Sequence, residues 1–190
     1  MKIILASGSP RRRELLAGLG YDFEVRLIDG IDETYPDNLS GKEIAAHISR
    51  SKAEAYRSTM GNDELIITAD TIVYLDGTVL GKPKDEAEAR TMLRNLSGKT
   101  HQVITGVTLL SQQHTRTFAS VSNVTFANLS DDEIDHYVTH YHPLDKAGAY
   151  GIQEWIGFVG VERIEGSYFN VMGLPVQRLY KEMKQLTDNK

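Results

Sequence analysis

The segment Glu64–Lys84 constrains the fold of this chain more than any other part of its sequence. It opens with Leu65-Ile66-Ile67, a short apolar run that predicts a buried strand. A second β-rich run, Ile72–Leu75, follows Ala69-Asp70-Thr71 at once, and Asp76-Gly77 then predicts a tight hairpin turn. We therefore expect paired strands here, with a carboxylate lying between two apolar runs.

Asp70 and Lys82 place opposite charges at the predicted ends of neighbouring strands. A carboxylate inside an apolar run is costly unless it is paired, hydrogen-bonded or bound to a metal. One interpretation is that both side chains belong to a functional site. The other is that Asp70 ends a strand and Lys82 is an ordinary surface lysine, and this segment taken alone leaves both open.

The helix predicted near the N-terminus carries three cations in an unfavourable place. Residues 2–6 predict a strand, Ser9 is a good N-cap, and Pro10 suits the first helical position. The run Arg11–Arg13 then falls in the first turn, where cations oppose the helix dipole unless an anion joins them. A phosphate held by the backbone N–H groups and the guanidinium groups would remove that cost. The alternative is a solvated basic turn.

Composition limits the classes of function. The 190 residues suit one domain, or two small lobes, and the net charge of −5 argues against a general nucleic-acid binder. The absence of cysteine excludes disulfides and thiolate metal sites. No apolar run approaches the ~18 residues that a membrane span needs, and the apolar run at the start is too short for a signal-peptide core. We expect a cytoplasmic protein without membrane contact.

The rest of the chain alternates between helix-like and strand-like patterns. A capping box at Ser40–Glu43 predicts a helix of about five turns that ends near Met60, with Lys52 in its middle. Residues 155–163 predict a strand. The other predicted elements are strands at Tyr21–Leu27, His101–Leu110 and Thr115–Ala127, and helices that begin after Asp85, at Ser130 and at Pro175. Six or seven strands mixed with about five helices predict an α/β fold with a long mixed sheet and helices on both faces.

The titratable residues restrict the kind of metal that the chain can bind. The histidines show no zinc-site spacing, so any metal would be held by oxygen atoms, which suits Mg²⁺ or Mn²⁺. The acidic segment Ile28–Glu33 offers such oxygens, although a cluster of this kind is by itself most often solvated charge.

Five segments, in order along the chain, resemble motifs of the Maf family. They are Ser7–Arg12, Ala69-Asp70-Thr71, Gly81-Lys82-Pro83, Ser97–His101 and Asp145–Gln153. Each is weak alone, but together the resemblance runs from Leu5 to about Pro175. It implies a single Maf-like domain over residues 1–190, with the two-lobed, ITPase-like α/β fold of that family: an elongated mixed sheet, helices on both faces and a central cleft.

The resemblance also implies an activity. Maf proteins are nucleoside triphosphate pyrophosphatases, which hydrolyse a nucleotide between its α- and β-phosphates to a monophosphate and pyrophosphate. Arg12, Thr71 and Gln153 match positions linked to dTTP and UTP specificity, with modified pyrimidine nucleotides as further candidate substrates. The resemblance implies a nucleoside triphosphate as the partner molecule, a divalent cation (Mg²⁺ or Mn²⁺) as cofactor, and a homodimer.

The residue roles implied by the resemblance fit the chemistry of phosphoanhydride hydrolysis, which needs charge neutralisation and an oriented water. Asp70 would be the general base and a metal ligand, and Glu33 a second carboxylate on the metal. Thr71 and Gln153 both donate and accept hydrogen bonds, as a pyrimidine edge requires. The phosphate oxygens would be held by Ser9, Arg12, Arg13, Lys52 and Lys82.

Two alternatives to this function stay open. A phosphosugar isomerase or transferase could use the same phosphate-binding residues. The family is also associated with arrest of cell division and septum formation, so the chain could be a non-catalytic nucleotide sensor or partner-binding regulator. A pure binder gains nothing from a carboxylate at Asp70, which favours catalysis.

Overall fold

The computed structural model describes residues 1–188, which form seven strands, seven α-helices and two single-turn 3-10 helices. The strands are β1 (Lys2–Leu5), β2 (Phe23–Val25), β3 (Glu64–Leu75), β4 (Thr78–Leu80), β5 (Thr100–Leu110), β6 (Thr115–Phe126) and β7 (Val161–Glu165). The α-helices are α1 (Pro10–Ala17), α2 (Gly41–Glu54), α3 (Glu86–Leu96), α4 (Asp131–Tyr141), α5 (Trp155–Gly160), α6 (Tyr168–Met172) and α7 (Val176–Asp188). The 3-10 helices are Pro143–Asp145 and Ala147–Ala149.

The strands form one mixed sheet in the order β2-β1-β3-β5-β6-β7, and β4 pairs with β3. Strand β1 runs parallel to both β2 and β3, with Ile3 opposite Phe23 on one side and Leu65 on the other. The β3–β4 and β6–β7 pairs are antiparallel. The predicted mixed α/β fold is therefore confirmed.

The described chain divides into two compact units, each with its own core. Unit 1 contains Met1–Asp70, Thr105–Ser120 and the segment from Gly173 onwards, and unit 2 contains Thr71–Ile104 and Val121–Met172. The expectation of a single domain with one central cleft stays a prediction.

In unit 1, helices cover both faces of the sheet. Successive residues of β1 and β3 point to opposite faces, so Leu5 and Ile67 pack with Leu16 of α1, whereas Ile4 and Ile66 pack on the other face. The first face also packs against Leu174, Leu179 and Met183 in and before α7, and the second against Ala53, Tyr56 and Met60 in and after α2. Both apolar faces of a buried parallel pair are thereby removed from water.

Unit 2 is built around a single apolar cluster. Helices α3 and α4 pack against the strands of this unit, with Leu93, Leu96 and Tyr137 fully buried. The same cluster includes Val73 and Phe126 from the strands and Ile152 and Ile156 from the segment that leads into α5.

Several local predictions are confirmed at the residue level. The Ser9 hydroxyl accepts a hydrogen bond from the Arg12 backbone N–H, and Pro10 begins α1. At the start of α4, the Ser130 and Glu133 side chains each accept from the other residue's backbone N–H, as a capping box requires. Asp76 and Gly77 adopt positive φ angles of 50° and 83° in the β3–β4 hairpin.

Two predicted element boundaries are wrong. The two apolar runs around Asp70 form one continuous strand, β3, because β1 pairs with its first four residues and β4 with its last three. Helix α2 ends at Glu54, not near Met60, because its hydrogen bonds tighten to a three-residue spacing where the Tyr56 N–H bonds to the Ala53 carbonyl.

The strand predicted over 155–163 is also wrong in its first part. Trp155–Gly160 is helix α5, and β7 begins only at Val161. The buried residues Ile156 and Gly160 lie four apart, which matches the period of a helix and not that of a strand. The described residues form seven α-helices, more than the five expected.

None of the helices in residues 1–188 combines the length and the apolar character needed to cross a bilayer. The cytoplasmic location stays a prediction.

Gly106 determines how closely α2 lies on the sheet in unit 1. A Cβ at this glycine would lie 2.1 Å from the Ala45 carbonyl oxygen and 2.3 Å from its carbon, far inside contact distance. The backbone of α2 therefore lies directly on β5, and a side chain at this position would push the helix away.

We expect Gly106→Ala to lower the free energy of unfolding by roughly 1–3 kcal/mol, as overpacking of a rigid contact does. Urea unfolding measures this change. Gly81→Ala is the matched control, because a Cβ at Gly81 would meet nothing within 4 Å. Equal stability of the two variants would show that α2 can move without cost.

Candidate active site

The Lys52 side chain connects the two carboxylates that the sequence singled out. Its Nζ lies 2.7 Å from Asp70 Oδ1 and 2.9 Å from Glu33 Oε1. The side chains of Lys52 and Asp70 are 15% and 13% exposed, whereas that of Glu33 is 60% exposed. Unit 1 therefore places one ammonium between a largely buried carboxylate and a solvent-facing one.

A second contact beside this ion pair keeps α2 and β3 in register. The Thr68 hydroxyl donates to the Ser49 carbonyl at 2.6 Å, and the Ser49 hydroxyl lies 3.0 Å from that of Thr108. Thr68 and Asp70 are two apart on a strand, and Ser49 and Lys52 are three apart on a helix, so each pair shares one face. The Thr68–Ser49 contact thus aligns the faces that carry Asp70 and Lys52.

The start of α1 adds further cations to unit 1. Arg12 donates from Nε to the Gly173 carbonyl at 2.8 Å and from Nη1 to the Ser7 hydroxyl at 3.4 Å. Burial lowers the pKa of Arg12, and the charge of Asp70 opposes that effect. Arg12 is therefore anchored within the unit, whereas Arg13 in the same helical turn is exposed.

These contacts decide which predicted site residues of unit 1 come together. Asp70, Glu33 and Lys52 are in direct contact, and the pKa of Arg12 responds to the charges of both carboxylates. Ser9 joins them through its cap on the Arg12 N–H. Whether any of these groups binds phosphate stays a prediction.

The oxygen atoms of this cluster fit a hard divalent cation. Asp70 and Glu33 both reach the position that Lys52 Nζ occupies, so they converge on one site of positive charge. Within residues 1–188, no group of three His, Asp or Glu side chains could hold a metal by itself. Mg²⁺ is often bound by one or two carboxylates together with substrate phosphates and water, and the pair meets that requirement.

The other predicted site residues belong to unit 2. Thr71 follows Asp70 within β3 and is half-buried. Lys82 is exposed and follows Gly81, whose carbonyl accepts from the Gly148 N–H at 3.0 Å. Gln153 is half-buried, with its Nε2 3.1 Å from where a Cβ on Gly151 would lie.

Close packing and an aromatic group hold the segment that carries Gln153. A Cβ at Gly148, where φ is +68°, would lie 2.8 Å from a Val73 methyl group, so only glycine lets the loop approach β3 there. The Tyr150 hydroxyl lies 2.7 Å from His101 Nε2, and both rings contact Phe126 edge-on.

His101 and Lys146 are buried in unit 2, which the sequence did not predict. Lys146 is 8% exposed, and its Nζ lies 2.7 Å from Asp145 and 3.2 Å from Glu154. Both residues lie in segments that match the family motifs, and this match could have marked them. Their burial was missed because a lysine in a loop usually predicts a solvated ammonium.

His101 gives the protein a testable pH dependence, because burial lowers its pKa from 6.5 to about 4. The unfolded chain takes up a proton near pH 6.5, whereas the folded protein resists it, so this contribution to stability is complete above pH 6.5 and is lost as the pH falls toward 4. The lost stabilisation amounts to roughly 3 kcal/mol.

We expect His101→Gln to remove that part of the pH dependence of unfolding, because glutamine does not titrate. Denaturant unfolding of both proteins between pH 7.5 and about pH 4 measures the difference. His114→Gln, a change at an exposed histidine, is the control. A wild-type curve that falls no faster than the His101→Gln curve would mean that folding does not lower the pKa of His101.

The chain is similar to known proteins over nearly its whole length. The sequence matches the family model described as Maf-like protein over residues 2–186. It is 66% identical over 185 residues to a Phocaeicola vulgatus protein named dTTP/UTP pyrophosphatase, covering 97% of this chain and 96% of that one. It is 54% identical over 190 residues to a Porphyromonas gingivalis protein of the same name, covering 99% and 96%.

A solved structure gives a weaker match. The Ham1 protein of Staphylococcus aureus shares 17% sequence identity at a TM-score of 0.49, over 84% of this chain and 91% of that one. This likeness is too remote to support an argument.

Proposed function

The chain belongs to the Maf-like protein family, and from this membership we propose that it hydrolyses dTTP and UTP to the monophosphate and pyrophosphate. It is a nucleotide pyrophosphatase, a hydrolase that acts on phosphoanhydride bonds. The preference for thymine and uracil is carried over from relatives that bear that name and cover nearly the whole chain.

The observation that best supports a catalytic role is the largely buried Asp70 beside Lys52. The Lys52 ammonium holds its Oδ1 at 2.7 Å. We assign Oδ2 the role of general base, which takes a proton from the attacking water. The water oxygen bonds to the α-phosphorus, the bond to the bridging oxygen breaks, and pyrophosphate leaves with the electron pair.

The cations near Asp70 have a different task, because charge develops on the phosphate oxygens as the bond breaks. Arg12 and Lys52 neutralise that charge, and the fixed Nε–Gly173 contact keeps the guanidinium of Arg12 in place before substrate binds. Ser9, Arg13 and Lys82 are proposed to hold further phosphate oxygens. When bound, a divalent cation held by Asp70 and Glu33 would polarise the phosphate oxygens.

Base selection is assigned to Thr71 and Gln153. Thymine and uracil present a carbonyl–NH–carbonyl edge, to which an amide can donate and from which it can accept at once. Cytosine presents an amino group beside an unprotonated ring nitrogen, so a side chain placed for uracil leaves groups buried and unpaired. The expected homodimer and the cytoplasmic location stay predictions.

The proposal is tested by pyrophosphate release, with Mg²⁺ or Mn²⁺, from dTTP, UTP, CTP, dCTP, dATP, dGTP and modified pyrimidine nucleotides. A separate NMR assay follows the conversion of phosphosugars. Rapid release from dTTP and UTP and slow release from the other ordinary nucleotides is the expected result. Turnover of a phosphosugar instead would indicate an isomerase or transferase, and tight nucleotide binding without turnover would indicate a sensor.

We expect Asp70→Asn to lower kcat for UTP by roughly 10²–10⁴-fold, which is the usual contribution of a general base. The variant should remain folded, because the amide keeps the size of the side chain, its oxygen can still accept from Lys52, and Lys52 keeps Glu33 as a charged partner. Asp22→Asn, at an exposed aspartate of the same unit, is the control and should keep normal turnover. Near-normal turnover of Asp70→Asn would make Asp70 a structural partner of Lys52 only.

For base recognition, we expect Gln153→Ala to narrow the ratio of kcat/KM for UTP over CTP, mainly by slowing UTP. Each group left unpaired costs about 1–3 kcal/mol, so loss of one matched contact changes the ratio by roughly 5- to 150-fold. Gln102→Ala, at an exposed glutamine of unit 2, is the matched control. An unchanged ratio in Gln153→Ala would exclude this residue from base recognition.

A further inference from the structure

Unit 2 contains a buried ammonium that the proposed chemistry does not use. Lys146 lies at the start of the loop that leads to Gln153, and its Nζ is 3.2 Å from Glu154 Oε1. The Glu154 side chain is 19% exposed, so most of this ion pair is out of water. Asp145, the second carboxylate on Lys146, is 65% exposed. The Lys146–Glu154 ion pair is therefore more buried than the Lys146–Asp145 pair.

Glu154 connects this ion pair to the turn that carries Gln153. The Tyr137 hydroxyl donates to Glu154 Oε2 and accepts from the Gly151 N–H at 2.9 Å. The Glu154 N–H bonds back to the Gly151 carbonyl at 3.0 Å. Residues 151–154 thus form a turn that is closed by its own backbone and tied to α4 through a single hydroxyl.

The Gln153 amide lies against the centre of this turn. A Cβ on Gly151 would lie 2.9 Å from the Glu154 carboxyl carbon and 3.1 Å from Gln153 Nε2. The carboxylate of Glu154 and the amide of Gln153 therefore pack against the same side of Gly151. A shift of the Glu154 carboxylate would change the space that the Gln153 amide occupies.

We propose that Lys146 is a positioning residue, which acts through Glu154 and Tyr137 to hold the Gln153 amide in the orientation that selects the base. The inference rests on the proposed function, because it assigns a role in the base selection proposed for Gln153. Lys146 itself need not touch the nucleotide.

The chemistry of the network supports positioning over stability alone. A buried ion pair often contributes little net stability compared with apolar groups of the same size, because desolvation offsets the attraction. Its distinct effect here is geometric, because Lys146 holds Glu154 Oε1 while the Tyr137 hydroxyl holds Oε2, so both oxygens of the carboxylate are fixed. Burial, followed by the bond to Glu154, raises the pKa of Tyr137, so its hydroxyl keeps the proton that it donates.

The test measures kcat/KM for UTP and CTP in Lys146→Met, Glu154→Gln and the double variant. We expect each single change to lower the UTP-to-CTP ratio by roughly 3- to 10-fold, the loss of about one hydrogen bond. The double variant should show no further loss, because both changes break the same path. Lys99→Met removes an exposed lysine of unit 2 that lies 3.7 Å from Asp76, and should leave the ratio unchanged.

The remaining outcomes overturn the inference in distinguishable ways. A ratio that stays at the wild-type value while unfolding temperature falls would make the network purely structural, and the proposed function would stand. Equal loss for UTP and CTP would also contradict positioning. A wild-type protein without preference for UTP would remove the base selection on which the inference rests. If Lys146→Met does not fold, the same ratio in Glu154→Gln and Tyr137→Phe decides the question.

Discussion

The contact between the Lys52 ammonium and the Asp70 carboxylate is the interaction on which the rest of unit 1 depends. Each group is largely withdrawn from water, and each would be costly to bury alone. Their 2.7 Å separation requires that α2 lie close to β3. Gly106 allows that approach, and the Thr68–Ser49 hydrogen bond aligns the two elements. The packing of α2 on the sheet, its alignment with β3 and the ion pair with Lys52 therefore all determine the position of the Asp70 carboxylate.

In unit 2, the polar residues lie on a loop, which is fixed by close backbone packing and by buried polar contacts. Gly148 brings the loop against Val73, and Tyr150 joins it to His101. Lys146 and Glu154 then fix the turn that carries Gln153. The base selection proposed for Gln153 requires that its amide be held in one orientation, and these contacts would provide that support.

Much of the fold could be predicted because local chemistry decides it. The cap at Ser9, the capping box at Ser130 and the hairpin at Asp76-Gly77 each follow from the residues themselves. The continuity of β3 could not be predicted, because it depends on pairing with distant strands. Helix α5 was missed because an apolar run of its length suits a strand as well as a helix.

The candidate site was predictable in part, because some of its charged residues stand out in the local sequence. Charges that lack a local explanation, such as Asp70 and the arginines of α1, mark a site without showing their partners. That Lys52 lies between Asp70 and Glu33 depends on contacts across eighteen or more positions of the chain, which no local pattern reveals. The burial of Lys146 is hidden similarly, since its partner Glu154 lies beyond a loop with no regular period.

In the proposed reaction, water attacks the α-phosphorus of a pyrimidine nucleoside triphosphate. The most direct measurement is hydrolysis of UTP in H₂¹⁸O, with the products followed by ³¹P NMR. We expect UMP that carries ¹⁸O on its phosphorus, together with unlabelled pyrophosphate and no inorganic phosphate. Formation of UDP and phosphate, or label in the pyrophosphate, would contradict it.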